Sequence, residues 1–215
     1  MIVRLTRSPY EMIAMVPLSP IGTIAPRLEE AVLRRVQNRE PAAMEIFFEH
    51  FYDRVYGYVA SLLRDRTLAE DIAHEAFLRL HKSLEKIDPS RDPAPWVFTV
   101  VSNIVRDHWR SKTHRVSKDS SELSEIEELV SSGDGQLEEL ARDESAKAVR
   151  QALGELEADD REVILLRTYQ EMDTPQISEI LGIKPDAVRQ RHSRAVRRLG
   201  EIYKRIMDDE PRVKA

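Results

Sequence analysis

Apolar residues recur along this chain at the three- and four-residue intervals of an amphipathic helix, and strand-like alternation persists nowhere. Leu68, Ile72, Ala76, Leu80 and Leu84 form one stripe at four-residue spacing. It predicts a helix that buries them and turns Glu70, Asp71, His74, Glu75 and Leu78 outward. A second helix is predicted from about 94 to 112, with Val97, Val100, Val101, Ile104, Val105 and His108 inward. That leaves Thr99, Asn103, Arg106 and Arg110 toward solvent or a ligand. Three segments have the capping-box form that opens a helix: Thr67-x-x-Glu70, Asp159-x-x-Glu162 and Asp173-x-x-Gln176. There is no internal repeat. The expected fold is all-α: two small helical domains, over 27–115 and 141–207, on a flexible linker over 116–140. An extension (1–26) and a tail (208–215) flank them.

The sharpest local pattern lies between Thr174 and Arg198. A short helix carries Ile177, Ile180 and Leu181, and Gly182 stands where a left-handed turn residue is needed. Ile183 plugs the gap, and Pro185 suits the first turn of the next helix. That helix buries Val188, His192, Ala195, Leu199, Ile202 and Ile206, while Arg189, Gln190, Arg191, Arg194, Arg197 and Arg198 occupy its other faces. One face locks the helix to its partner and another offers donors, which is what a major-groove recognition helix requires. A basic amphipathic helix in an ordinary hairpin is the competing explanation, weakened by the turn glycine and the clustering of arginines.

Charge distribution changes the picture more than composition does. The 215 residues are 33% charged, 41% hydrophobic and 6% aromatic, with a formal net charge of -5. From Ser117 to Glu144, ten acids face only Lys118 and Arg142; from Lys184 to Arg205, eight bases face only Asp186 and Glu201. The chain is polarised, so a net negative sum does not argue against nucleic-acid binding. The acidic stretch also holds Ser120-Ser121, Ser131-Ser132 and Gly133-Asp134-Gly135, which marks it as linker. No cysteine is present, which excludes disulfides and thiolate metal sites and fits a reducing compartment. No apolar run approaches the roughly 20 residues of a membrane span. Met12–Val16 is too short, and too soon followed by Pro17, for a secretion signal. A cytoplasmic protein without membrane insertion is expected.

Catalytic chemistry finds no foothold. The six histidines are scattered, no glycine-rich phosphate loop occurs, and no second cluster completes a metal site around Asp71, His74 and Glu75. No catalytic residue, metal or cofactor is expected.

Two longer segments carry a family resemblance. LGELEADDREVILLRTYQEMDTPQISEILGIKPDAVRQRHSRAVRRL (153–199) resembles domain four of extracytoplasmic-function, or group-four, sigma factors of the sigma-70 family. LAEDIAHEAFLRLHKSLEKID and WVFTVVSNIVRDHWR resemble domain two of the same family. The resemblance spans roughly 39–115 and 146–206, in the family's order. It implies a subunit that directs RNA polymerase to promoters and helps open them. Asp71, Glu75 and Leu78 would then meet the polymerase clamp helices. Asn103, in the family's Ala-x-Asn-like position (Val101-Ser102-Asn103), would hold a flipped base of the minus-ten element, with Arg106 and Arg110 on the backbone. Lys184, Asp186, Arg189, Gln190, Arg191 and Arg194 would serve the minus-thirty-five element, while domain four docks on the polymerase flap. Trp96 matches the family's core tryptophan; Trp109 is open between core and base stacking. The linker would run toward the RNA exit path, or else be a solubilising tether. An anti-sigma factor is an implied partner, and no obligatory homo-oligomer is expected.

The chain departs from the family's pattern at Pro93-Ala94-Pro95, at Lys184-Pro185-Asp186 and at His192, where an apolar residue is common. Promoter preference therefore does not follow from the resemblance. Residues 1–26 match nothing in the family and are readable as disordered, as a regulatory flap or as an artefact of the chosen start codon. Two other functions compete: a free-standing helix-turn-helix regulator, and a sigma-like decoy that binds no DNA.

Overall fold

The computed structural model describes residues 27–116 and 144–209. Among these the chain is helical, without a strand, and it divides into two compact units. The expected linker and the extension lie outside the described residues.

The N-terminal unit comprises α1 (Glu30–Gln37), α2 (Pro41–Leu63), α3 (Arg66–Lys82), a 3-10 turn (Leu84–Lys86) and α4 (Ala94–Val116). Phe47, Phe51, Val55, Tyr58 and Leu62 of α2 are buried against Ile72, Ala76 and Leu80 of α3 and Val97, Phe98, Val101 and Val105 of α4. The rings interlock instead of merely filling space. Phe47 tilts on Phe51 at 5.0 Å, and Phe98 meets Tyr58 edge-on at 5.2 Å. Arg54, only 5% exposed, lies over the rings of Phe51 and Phe98 at 5.2 and 5.5 Å. The buried Tyr58 hydroxyl bonds Ser102 Oγ at 2.8 Å, joining α2 to α4 through a polar contact.

The turn between α2 and α3 corrects one expectation. Arg64 adopts a left-handed conformation (φ 58) and closes α2 through its amide to Ala60 O. Asp65, not Thr67, then caps α3 by accepting from Leu68 N at 3.0 Å. The left-handed residue reverses the chain so early that the first acceptor in range is Asp65, and Thr67 is already helical.

The C-terminal unit comprises α5 (Glu144–Glu155), α6 (Ala158–Ile164) with a π-helical extension (Leu165–Tyr169), α7 (Thr174–Leu181) and α8 (Pro185–Asp209). Its core is aliphatic: Val149, Ala152, Leu153, Leu156, Val163, Ile164, Leu165, Leu166, Ile177, Val188, Ala195 and Leu199 are buried. The Asp159–Glu162 capping box does not form. Glu157 precedes the helix, which starts at Ala158, and no side chain caps it. What holds this junction is Arg161. Its Nε donates to Leu153 O at 2.8 Å, and Nη2 donates to Gly154 O and Leu156 O at 2.8 Å each. One guanidinium thus donates to three carbonyls at the end of α5, where intrahelical amide donors run out. The third box forms as expected: Asp173 Oδ1 accepts from Gln176 N, and Gln176 Oε1 accepts from Asp173 N, both at 2.8 Å.

Candidate nucleic-acid and polymerase interfaces

In the N-terminal unit, Asp71, Glu75 and Leu78 lie together on the outer face of α3, since residues three and four apart share a helix face. Leu78 is 50% exposed beside these acids. Glu75 is paired with Arg79 at 2.5 Å, so Asp71 and Leu78 flank a partly neutralised acid. Behind them runs a seam of rings shared by α2 and α3: Tyr52 stacks on Tyr56 at 6.4 Å and on Phe77 at 5.8 Å, and Phe77 meets Phe48 edge-on. Tyr52 itself is exposed. The outer face of α3 therefore combines acid with accessible apolar surface.

On α4, Asn103 and Arg110 are exposed and Arg106 is half-buried. Arg106 Nη1 donates to Asn103 Oδ1 at 3.1 Å, so the exposed Asn103 carboxamide has its oxygen engaged. Arg110 pairs with Asp107 at 3.3 Å. The loop leading into α4 is pinned at several points. Asp88 accepts from both the amide and hydroxyl of Ser90 at 3.0 and 2.6 Å. These bonds hold the Asp88 carboxyl below its ordinary range, with smaller help from Arg91 and Arg27. Arg27 donates to Ser90 O, Gln37 to Ile87 O at 2.6 Å, and Asp92 Oδ1 accepts from Ala94 N at 2.9 Å. Pro93, Ala94 and Pro95 are buried. Residue spacing gave no sign of this anchoring; the Asp-x-Ser turn at 88–90 is the local signal that could have shown it.

At the turn between α7 and α8, Gly182 has φ +66, and a Cβ built there would meet nothing within 4 Å. Glycine is needed for its backbone conformation, not for room. Ser178 ties the turn: its carbonyl accepts from Ile183 N at 3.3 Å and its hydroxyl donates to Ile183 O at 2.5 Å. From this turn Lys184, just before α8, and Asp186, Arg189 and Gln190 of α8 face solvent, with Asp186 and Arg189 paired.

The arginines of α8 do not form one basic face. On a helix turning about 100° per residue, Arg191, Arg194, Arg198 and Arg205 lie within about 60° of one another. All four meet acids of α5 and α6. Arg191 pairs with Asp159 at 3.1 Å, Arg194 with Asp160 at 3.5 Å, and Arg198 with Asp160 at 3.0 Å and Glu157 at 3.4 Å. Arg205 pairs with Glu155. Asp160 is 1% exposed, held between two guanidiniums. Arg189, Gln190, Ser193 and Arg197 are exposed, and the ion pairs to Glu155, Glu157, Asp159 and Asp160 involve none of them. His192 is half-buried on the inner face, and burial, followed by the nearby Arg167, holds it below the ordinary histidine value.

Both halves match family models. Sigma-70 region 2 matches residues 47–115, and Sigma-70 region 4 matches residues 146–199. SigL of Mycobacterium tuberculosis, described as an ECF RNA polymerase sigma factor, is 31% identical over 166 residues, covering 74% of this chain and 88% of SigL. The chain belongs to the extracytoplasmic-function sigma factors of the sigma-70 family. BldN of Streptomyces coelicolor, another ECF RNA polymerase sigma factor, is 27% identical over 84% of this chain; the match spans 66% of BldN, just under two thirds of its length. Among solved structures, the sigma factor RpoE in complex with the anti-sigma factor NepR from Bartonella quintana shares the fold. Its TM-score is 0.59 at 20% identity, over 74% of this chain and 96% of RpoE.

The family assignment places α3 and α4 in the region 2 match and α5 to α8 in the region 4 match. Each group of site residues expected from the sequence falls on one surface of one unit: Asp71, Glu75 and Leu78 on α3; Asn103, Arg106 and Arg110 on α4; Lys184, Asp186, Arg189 and Gln190 at the start of α8. Arg191 and Arg194 stand apart from that last group, on the flank turned to α6. Among the described residues no helix is long and apolar enough to cross a membrane.

Proposed function

We propose that this sigma factor directs core RNA polymerase to a promoter set and assists strand opening without catalysing a reaction. The observation that carries the reading is the presence, in one chain, of a region 2 unit with an acidic and apolar α3 face and a region 4 unit with an outward-facing recognition helix. Asp71, Glu75 and Leu78 dock on the polymerase clamp helices, Leu78 supplying apolar contact between the acids. Asn103, oriented by Arg106, donates its amide to a base extruded from the minus-ten element. Unstacking that base costs a few kcal/mol, which a fitted pocket offsets. The pinned loop at 88–95 forms one wall of the pocket, and Arg106 and Arg110 meet the DNA backbone.

Lys184, Arg189 and Gln190 at the start of α8 enter the major groove of the minus-thirty-five element. Asp186 there accepts from a cytosine amino group. Arg191 and Arg194 add phosphate contacts. The domain assignment follows: 27–115 binds core and the minus-ten element, 116–140 links, and 141–207 binds the minus-thirty-five element and the flap. An anti-sigma factor, of the kind RpoE binds in NepR, is the expected regulator, and the site of action is the cytoplasm.

Run-off transcription across genomic DNA with purified bacterial core polymerase tests this. New start sites that require the protein and share paired upstream and downstream motifs are the expected result. Asp71→Lys with Glu75→Lys should abolish those starts by weakening the protein's binding to core by tenfold or more. Binding to duplex DNA without any new start would instead mark a free-standing regulator.

A further inference from the structure

The flank of α8 that carries Arg191, Arg194 and Arg198 already faces three carboxylates, although region 4 binding to DNA draws its affinity from cations meeting phosphates. A carboxylate presents to a guanidinium the same planar pair of anionic acceptors that phosphate would. Each of these arginines therefore exchanges one anion for another when it meets DNA, and the exchange releases fewer counterions than a solvated arginine would. Asp159 and Glu157 are largely exposed, at 64% and 75%, and sit at the rim, where phosphate would approach. Asp160, buried between Arg194 and Arg198, is out of reach of solvent.

We propose that Glu157, Asp159 and Asp160 act as an internal counter-charge that competes with DNA phosphate for the α8 arginines. The region 4 unit thereby binds DNA of any sequence more weakly than its arginine content implies. Discrimination then concentrates on Lys184, Arg189 and Gln190, which lie clear of the three acids. Asp159 is the residue that sets the share of Arg191 left to DNA. This rests on the reading of α8 as the recognition helix.

The test is the salt dependence of binding between the full-length protein and a short random-sequence duplex. It compares wild type, Asp159→Asn, Arg191→Gln and the double variant, with Arg189→Gln as a reference outside the acidic seam. Asp159 and Arg191 form a partly exposed pair, so none of these changes opens the core. Competition predicts that Asp159→Asn raises affinity and steepens the slope of log K against log salt by up to about 0.9, the value of one added phosphate contact. It also predicts that Arg191→Gln lowers affinity severalfold more in the Asp159→Asn background than in the wild type. Simple relief of repulsion by Asp159 predicts the same Arg191→Gln effect in both backgrounds, and that result would overturn the proposal. Arg189→Gln should lower the slope by the same amount in either background, and by less than about 0.9 because Arg189 is paired with Asp186. If instead Arg189→Gln changes nothing and no variant binds duplex at low salt, the DNA reading of α8 fails, and the competition falls with it. Binding that persists with additive variants removes the competition alone.

Discussion

The two units reach similar helical packing by opposite means. Every phenylalanine and tryptophan of the chain lies in the N-terminal unit, where rings from α2, α3 and α4 interlock and even Arg54 is stacked on them. Among its described residues, the C-terminal unit holds no phenylalanine or tryptophan, and its tyrosines are Tyr169 and Tyr203. It sets its helix positions with guanidiniums: Arg161 on the end of α5, and Arg191, Arg194 and Arg198 between α8 and α6. Large rings fix geometry through shape, and their cost of removal is a cavity. Guanidiniums fix it through direction, and their cost of removal is an unsatisfied acceptor or an uncompensated charge. Each choice suits the proposed task. A base pocket on α4 needs a rigid wall, whereas a helix that meets phosphates can share its cations between fold and ligand.

The largest effect should come from breaking the ring lattice. Phe47 is fully buried and touches Phe48 and Phe51, so Phe47→Ala should destabilise the N-terminal unit by roughly 3–5 kcal/mol. Hydrogen exchange resolved along the full chain checks it: protection should fall across α2, α3 and α4 and hold in α8. Equal loss in α5–α8 would mean that the difference between the units has no energetic counterpart.

Next in size is the polar counterpart. Arg161→Ala removes three hydrogen bonds to the carbonyls at the end of α5, leaving Leu153 O with only the amide of Leu156 at 3.3 Å, which should cost about 2–4 kcal/mol. Arg161→Lys should rescue little, because one ammonium lacks the fork that reaches Leu153, Gly154 and Leu156 together. Thermal unfolding of the two variants separates these outcomes. Full rescue by lysine would show that charge near the end of α5, rather than directed bonds, holds the junction.

How much of this was legible beforehand depended on whether the cause was periodic. The stripes predicted burial correctly at Ile72, Ala76, Leu80 and Leu84 and at Val97, Val101, Ile104 and Val105, while Leu68, Val100 and His108 are only half-buried; Gly182 and the Asp173–Gln176 box also formed as expected, because each acts over one or two helical turns. Arg161 was invisible: it sits inside DDREVILL, where an arginine reads as surface, and only the return of α6 against α5 makes it a cap. The division of the α8 arginines was equally hidden. Helical angle separates Arg191, Arg194 and Arg198 from Arg189 and Arg197, but nothing in the sequence says that Asp159 and Asp160 lie opposite the first group. Thr67 was misread for the reverse reason, since the left-handed Arg64 moved the helix start. For the site, the sequence put each proposed group on one helix and could not supply the partners, such as the Arg106–Asn103 bond, that surround it.

The smallest effect tests whether the C-terminal unit departs from its own charge logic at one point. His192 lies on the inner face of α8, half-buried, with its pKa lowered by burial and then by Arg167. Unfolding restores the ordinary value near 6.5, so below that pH the unfolded chain binds a proton that the folded unit refuses. Stability then rises with pH through this window and is lost as pH falls from about 6.5 toward the depressed folded value. His192 is the sole histidine beyond residue 116, so a stability change between pH 7 and 5.5 confined to this unit reports on it. His192→Leu should flatten that dependence and leave the unit at least as stable at pH 7, since an apolar side chain suits the site. Chemical denaturation of the full chain, followed at the methyl groups of Val188 and Leu199 at both pH values, reads the effect directly. An unchanged pH dependence in the leucine variant would show that His192 does not carry the unit's acid sensitivity.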